Sequence, residues 1–155
     1  AGDASLSGDI MTMRLRPVED GDAVMLYRWH TDPETRRFTP YPEPDEWDNH
    51  LAWFIKRIPL GRFYVGEHDP EGAVGVVRVD HRDHRDWISI TIDPRSRGRG
   101  CATGLLEAVV REVETLPLWA MIHEGNLASV KVFKRAGFVY HLDSTPPWHV
   151  YQRDR

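Results

Sequence analysis

One junction narrows the folds open to this chain more than any other. In "IDPRSRGRGCATGLLEAVVREV" (92–113), a strand-like run meets a helix-like run across three arginines and two glycines. The helix-like part puts Leu105, Leu106, Val109, Val110 and Val113 on one side, the spacing of an amphipathic helix that must cover a sheet or another helix. The loop also carries chemistry. Gly98 and Gly100 let the backbone approach a ligand with no Cβ in the way. The helix that follows directs free N–H groups and its positive dipole end into the loop. Arg95, Arg97 and Arg99 add guanidinium groups that match phosphate oxygens. Together these suit a pyrophosphate. A charged surface turn is the plain alternative, and the loop alone does not decide between them. It is not a Walker loop, because no G-K-[ST] follows. It is not a Rossmann fingerprint either, because it follows an antiparallel meander rather than the first strand of a parallel unit.

Upstream, residues 13–18 ("MRLRPV") alternate apolar and polar and predict a first strand. Ala23, Leu26, Tyr27 and His30 follow at helical spacing. Pro33 opens a short second helix over "PETRRFT". Asp45 caps a third over "EWDNHLAWFIKRI", which stops before Pro59. The period then changes. "RFYVGEHD", "AVGVVRVD" and "DWISITID" are short and rich in β-branched and aromatic residues. With "HDPEGA" and "HRDHR" as turns, they predict an antiparallel meander. Beyond the loop and its helix come a buried strand "LWAMIH" and an amphipathic helix "NLASVKVFKRAG" ended by Gly137. Two closing strands, "FVYHLD" and "WHVYQRD", flank Pro146-Pro147. The expected architecture is a single mixed α/β domain over 13–155 with a largely antiparallel sheet. Residues 1–12 lack the basic and apolar regions of a signal peptide and predict a flexible leader or an expression remnant.

Composition closes several doors. A chain of 155 residues fits one domain with a real core. A net charge of −4 argues against nucleic acid as a partner, since phosphate-backbone binders carry a positive excess. The arginine cluster is therefore local to an acidic protein. No apolar run approaches the roughly 18 residues of a membrane helix, so no membrane partner is expected. The single cysteine, Cys101, rules out a disulfide framework within the chain, and a cytoplasmic location is the default.

Two segments carry a resemblance to a known family. In the loop, Arg97, Gly100 and Ala102 match the [QR]-x-x-G-x-[GA] signature of the GNAT superfamily of acyl-CoA N-acyltransferases. About two dozen residues later, "NLASVKVFKRAGF" is similar to the family's second motif, with Asn126, Ser129, Phe133 and the terminal Gly137-Phe138. The likeness covers roughly 13–152. It implies the GNAT fold: a mixed, mostly antiparallel sheet of about seven strands, splayed in the middle, with helices on both faces. It implies acetyl-CoA as co-substrate and no metal. Its pyrophosphate would be held by backbone N–H groups of Gly98, Arg99, Gly100, Cys101, Ala102 and Thr103, by Arg97 or Arg99, and by the Thr103 hydroxyl. Its pantetheine would pair with Ile90, Thr91 and Ile92 like an extra strand. Asn126 is assigned to coenzyme binding and to catalysis, bonding the pantetheine near the splay. Lys134 or Arg135 could reach a 3′-phosphate, although solvated helix charge explains both. Phe133 would pack on the coenzyme where many members carry the tyrosine credited with protonating the thiolate. A thiol titrates near ~8.5 and a general acid adds about 10²–10⁴-fold, so this loss permits activity. It also admits a non-catalytic acyl-CoA-binding module.

The same resemblance implies transfer of acetyl to a primary amine, with backbone N–H groups polarising the thioester carbonyl. "W-x-x-D-P-x-x-R" at Trp29, Asp32, Pro33 and Arg36 resembles the branch holding sugar-nucleotide amine and ribosomal-protein N-terminal acetyltransferases. A small amine such as an amino-sugar nucleotide is the favoured acceptor, with Arg36 and Arg37 as a patch for its diphosphate. A protein N-terminal α-amine is the alternative. Trp29, Phe38, Thr39 and Trp53 are candidates to line the acceptor pocket, against the common use of tryptophan as core. Trp148 and Tyr151 either border it or complete the sheet. The general base stays open among Glu67, His81, His84, His30, Glu124 and a water chain. "HRDHRD" (81–86) reads as a solvated hairpin rather than a metal site. Cys101 stands where the motif is apolar and packs inward. A homodimer is compatible with the family.

Overall fold

The computed structural model describes residues 12–40, 42–113 and 116–154; the expected leader thus lies almost wholly outside the described residues. The first strand, β1 (Arg14–Pro17), leads through a 3-10 turn (Asp20–Asp22) into α1 (Ala23–His30), α2 (Pro33–Arg37) and α3 (Trp47–Arg57). The meander is β2 (Phe63–His68), β3 (Gly72–Arg82) and β4 (Arg85–Ile92). Then come α4 (Cys101–Glu112), β5 (Leu118–His123), α5 (Leu127–Arg135), β6 (Val139–Thr145) and β7 (Trp148–Arg153). This is the expected order. The seven strands form one sheet in the order β1-β2-β3-β4-β5-β7-β6. All described pairs are antiparallel except β4–β5.

The parallel pair places the site. β4 and β5 meet only at Asp86↔Leu118 and Trp87↔Trp119. Beyond those two registers the ladder stops, so the sheet opens between Ile88–Ile92 and the end of β5. The splay is physical: a parallel pair has no tight turn to hold it together along its length.

Two cores cover the sheet. On one face α4 and α5 bring Leu105, Leu106, Val109 and Phe133 onto Val77, Val79, Leu118 and Ala120. On the other, α1 and α3 bring Leu26, Trp29 and Phe54 onto Phe63, Val65 and Val76. Val76 and Val77 enter opposite cores, as the period of two in a strand requires. α4 sits close to the sheet because β2 and β3 carry glycines beneath it. A Cβ on Gly66 would lie 2.6 Å from Leu105 Cδ1, and one on Gly75 only 2.9 Å from the Thr91 carbonyl.

Two expectations are corrected. Asp45 does not cap α3; Glu46 stands at its N-cap without a side-chain bond, and the Asp45 carbonyl accepts from the Tyr27 hydroxyl at 2.7 Å. "HRDHR" is not all loop. β3 and β4 pair out to Arg82↔Arg85, leaving a two-residue turn with Asp83 and His84 at φ of 53° and 62°. Left-handed pairs of that kind match the twist of a hairpin, and polar side chains there hid the strand ends. Among the described residues no helix is long and apolar enough to cross a membrane.

Candidate active site

The loop after β4 is shaped by one buried carboxylate. Asp93 caps the 3-10 turn Pro94–Ser96, accepting from the Arg95 N–H at 3.1 Å, and pairs with the Arg95 guanidinium at 3.1 Å. Arg95 is thereby held on its own turn. Gly98 and Gly100 follow with φ of 75° and 80°, and Gly100 is the left-handed N-cap of α4. No atom lies within 4 Å of a Cβ built on either glycine, so that side of the backbone is open. The first turn of α4, starting at Cys101, has N–H groups without intrahelical acceptors, and they open into the cleft.

The cleft has a volume of about 430 Å³. Ile90, Thr91 and Ile92 of β4 form its floor, beside the loop residues Arg97, Gly98, Gly100, Cys101, Ala102 and Thr103. Asn126, Ser129 and Phe133 of the α5 region line a second wall, and Glu34, Thr35, Phe38 and Thr39 a third. One cavity thus joins the arginine–glycine loop, the open edge of β4 and the end of α2. Glu34, Thr35, Ala128 and Val132 line it as well and escaped sequence reading; their helices mattered, but not which side faced inward.

The other expected residues divide. Asn126 is the N-cap of α5, its Oδ1 accepting from the Ser129 N–H at 3.3 Å. Phe133 is buried edge-on to Phe138. Cys101 is buried, and burial first of all raises its thiol pKa; it packs inward rather than standing as a thiolate. Arg99 is exposed, and among the described residues no ion pair takes it. Arg97, by contrast, crosses to α2: it donates to Asp32 at 2.6 Å and to Thr35 Oγ1 at 2.8 Å, and pairs with Glu34 at 2.9 Å. Trp29 is not brought to the cleft. It is 4% exposed inside the second core, because the helical spacing that suggested a wall is also that of a core stripe. Trp53 packs there too.

A residue that sequence reading passed over stands beside the cleft wall. His123 closes β5, with its ring 5.3 Å from Phe38 and 5.1 Å from Trp148. The Gly125 N–H donates to its Nδ1 at 3.0 Å, so the neutral ring carries its proton on Nε2. Alternation along "LWAMIH" was the available signal, since it sets His123 on the face of Trp119 and Met121. The candidate bases disperse. Glu67 pairs with Arg16, His81 with Asp86, and Glu124 with His149.

His30 enters a buried polar cluster. Glu43 Oε1 lies 3.3 Å from His30 Nδ1 and 3.9 Å from His50 Nε2. Its other oxygen pairs with Arg78, which also holds Asp80 together with Arg57. Both imidazole pKa values are pushed down to about 4, chiefly by burial. Potential ligand atoms of His30, Glu43 and His50 lie within 4.8 Å of one another. A dication there would join two guanidinium groups, and among the described residues no fourth ligand completes the set that a structural zinc site uses. The cluster reads as a neutral buried network beside the second core.

Comparison with known proteins agrees with this geometry. The family model described as "Acetyltransferase (GNAT) domain" matches residues 12–139. "Putative phosphinothricin acetyltransferase YwnH" of Bacillus subtilis (strain 168) is 27% identical over 137 residues, covering 83% of this chain and 83% of that protein. A domain from Methanocaldococcus jannaschii superposes with a TM-score of 0.77 at 20% identity, over 94% of this chain and 99% of that one. Spermidine N-acetyltransferase from Vibrio cholerae, solved with CoA and spermine, gives 0.72 at 17% identity, over 91% and 93%.

Proposed function

The chain belongs to the GNAT acetyltransferase family and is an acetyl-CoA-dependent N-acetyltransferase; from that premise we propose that it acetylates a small primary amine bound against Phe38 and Thr39. The observation that carries this reading is the shared cleft, where the phosphate loop, the open β4 edge and the end of α2 line one cavity. A cleft of this size suits the arm of a coenzyme and a small molecule.

Acetyl-CoA supplies the activated thioester. The N–H groups at the start of α4, with Arg99, bind the pyrophosphate. The unladdered edge of β4 pairs with the pantetheine amides as an added strand would. A β4 N–H polarises the thioester carbonyl and holds the oxyanion that forms when the amine attacks. Asn126 orders the turn into α5 beside the reacting centre. Phe133 offers no proton, so as the C–N bond forms and the C–S bond breaks the thiolate leaves unassisted, which its low basicity permits, and the proton lost by the attacking nitrogen passes to water or, through water, to the thiolate.

Among small amines, an amino-sugar nucleotide needs cations for its diphosphate. Arg36 donates to the Glu43 carbonyl at 2.9 Å and Arg37 lies over the Phe38 ring at 4.9 Å, so that patch is largely committed. A polyamine or an amino-acid amine is the better fit, and spermidine and phosphinothricin are the acceptors for which the relatives are named.

The test is free-thiol release from acetyl-CoA across polyamines, phosphinothricin and amino acids, amino-sugar nucleotides, and N-terminal peptides. Turnover with one of the first two classes is expected. Turnover confined to nucleotides or peptides would replace the acceptor. Silence with acetyl-CoA still raising the melting temperature would favour a binding module, which Phe133 allows.

A further inference from the structure

Arg97 is the arginine of the loop signature, yet its guanidinium bridges the cleft instead of facing its open side. Nη2 donates to Asp32 Oδ2 at 2.6 Å and to Thr35 Oγ1 at 2.8 Å, while Nη1 lies 2.9 Å from Glu34 Oε2. Asp32 is also the N-cap of α2, and the same Oδ2 accepts from the Thr35 N–H at 3.1 Å. One carboxylate oxygen therefore ties together the start of α2 and a loop distant from it in sequence. Phe38 follows α2 directly, its N–H donating to the Thr35 carbonyl at 3.3 Å, and Phe38 and Thr39 line the cleft. An unbroken series of bonds runs from the phosphate loop through Arg97, Asp32 and Thr35 to the acceptor wall. Asp32 holds its charge firmly, its pKa lowered first of all by the bond from Arg97.

We propose that Arg97 and Asp32 are a positioning pair that straps α2 to the coenzyme loop, so that ordering the loop around coenzyme sets the acceptor wall. The inference rests on the coenzyme site proposed above. The phosphates then fall to the loop N–H groups and to Arg99, and Arg97 stays on α2 when coenzyme is bound. Five-residue α2 is too short to hold itself, so an external tie decides how still it lies. Because coupling is reciprocal, coenzyme should favour acceptor binding and acceptor should favour coenzyme binding.

The experiment is amide hydrogen exchange of residues 33–39 with and without CoA, in the wild type, Arg97→Ala, Arg97→Lys and Asp32→Asn, with CoA affinity measured in parallel. Asparagine still caps a helix, so Asp32→Asn removes the strap and keeps the cap. In the wild type, CoA should raise protection over 33–39. In Arg97→Ala and Asp32→Asn, CoA should bind within roughly tenfold of wild type, the low end of typical coupling, with no gain in protection there. Arg97→Lys, a point charge without the fork, should fall between. The strap is overturned if CoA protects 33–39 equally in Arg97→Ala. It is also overturned if CoA loosens α2 in the wild type while Arg97→Ala loses CoA a hundredfold or more, since Arg97 would then serve the phosphates. If CoA leaves the wild-type melting temperature unchanged, the coenzyme site itself fails and the strap with it.

Discussion

On one face of the sheet, α4 lies over glycines 66 and 75, and its inner face is apolar from Cys101 through Leu105 to Val109. On the opposite face, α1 and α3 meet the sheet beside two histidines, a glutamate, an aspartate and two arginines. The first half is organised by backbone: close approach, left-handed glycines and a free helix end. The second is organised by charge that must be paired to be buried. Backbone geometry of this kind tolerates side-chain change. A buried polar network tolerates little, because each charge in it depends on its partners.

The largest test of that contrast is Arg78→Ala. It strips Glu43 of its guanidinium and leaves Asp80 to Arg57 alone, in a site where Arg78 lies over the Trp53 ring at 5.2 Å. Breaking a buried pair costs about 3–5 kcal/mol, which urea unfolding should record. Leu105→Ala on the other face should cost about 2–5 kcal/mol by leaving a cavity. The distinguishing control is Glu43→Gln with Arg78→Met. Removing both charges at similar volume should recover most of the loss, as buried pairs allow. A loss under about 1 kcal/mol for Arg78→Ala would mean that charge does not hold this half.

Acid should act on the half with the buried polar network next. His30 and His50 titrate near 4 in the fold and near 6.5 when unfolded. Above 6.5 both states are neutral and stability is full. As pH falls from 6.5 toward 4 the unfolded chain takes up protons first, so stability falls with pH, by up to about 2 kcal/mol per imidazole at pH 5. His50→Leu should flatten that slope and change stability little at pH 7, because both ring nitrogens of His50 are buried without hydrogen-bond partners. An unchanged slope would put the acid sensitivity elsewhere.

Gly100→Ala should be the mildest and the most local. A non-glycine residue at φ 80° costs about 1–2 kcal/mol, and the cost falls on the loop. The substituted loop is expected to relax out of the αL turn, so the melting temperature falls little and CoA, which must restore the turn, loses roughly tenfold in affinity, since 1.4 kcal/mol is a factor of ten. Unchanged CoA binding would show that the αL turn is not what presents the first α4 N–H groups.

The amino-acid sequence by itself determined the element order and the open backbone of the loop. Glycines, prolines and alternating β-branched runs act over a few residues, so their effect is local and readable: Gly98 and Gly100 require an open backbone wherever they fold. It also marked Cys101 and Phe133 as packing residues, and both are buried. Tertiary structure alone decided which aromatic residues face the cleft. Trp29 and Phe38 both lie in the helical segment after β1, yet one is core and the other lines the cleft, because α1 packs on β2 and β3 while the residues after α2 reach the cavity. It decided as well that Glu43, His30, His50 and Arg78 share one buried site, and that Arg97 spends its charge on Asp32. Those partners are far apart in the chain, and a charge declares its partner only when folding removes the water that would otherwise have served.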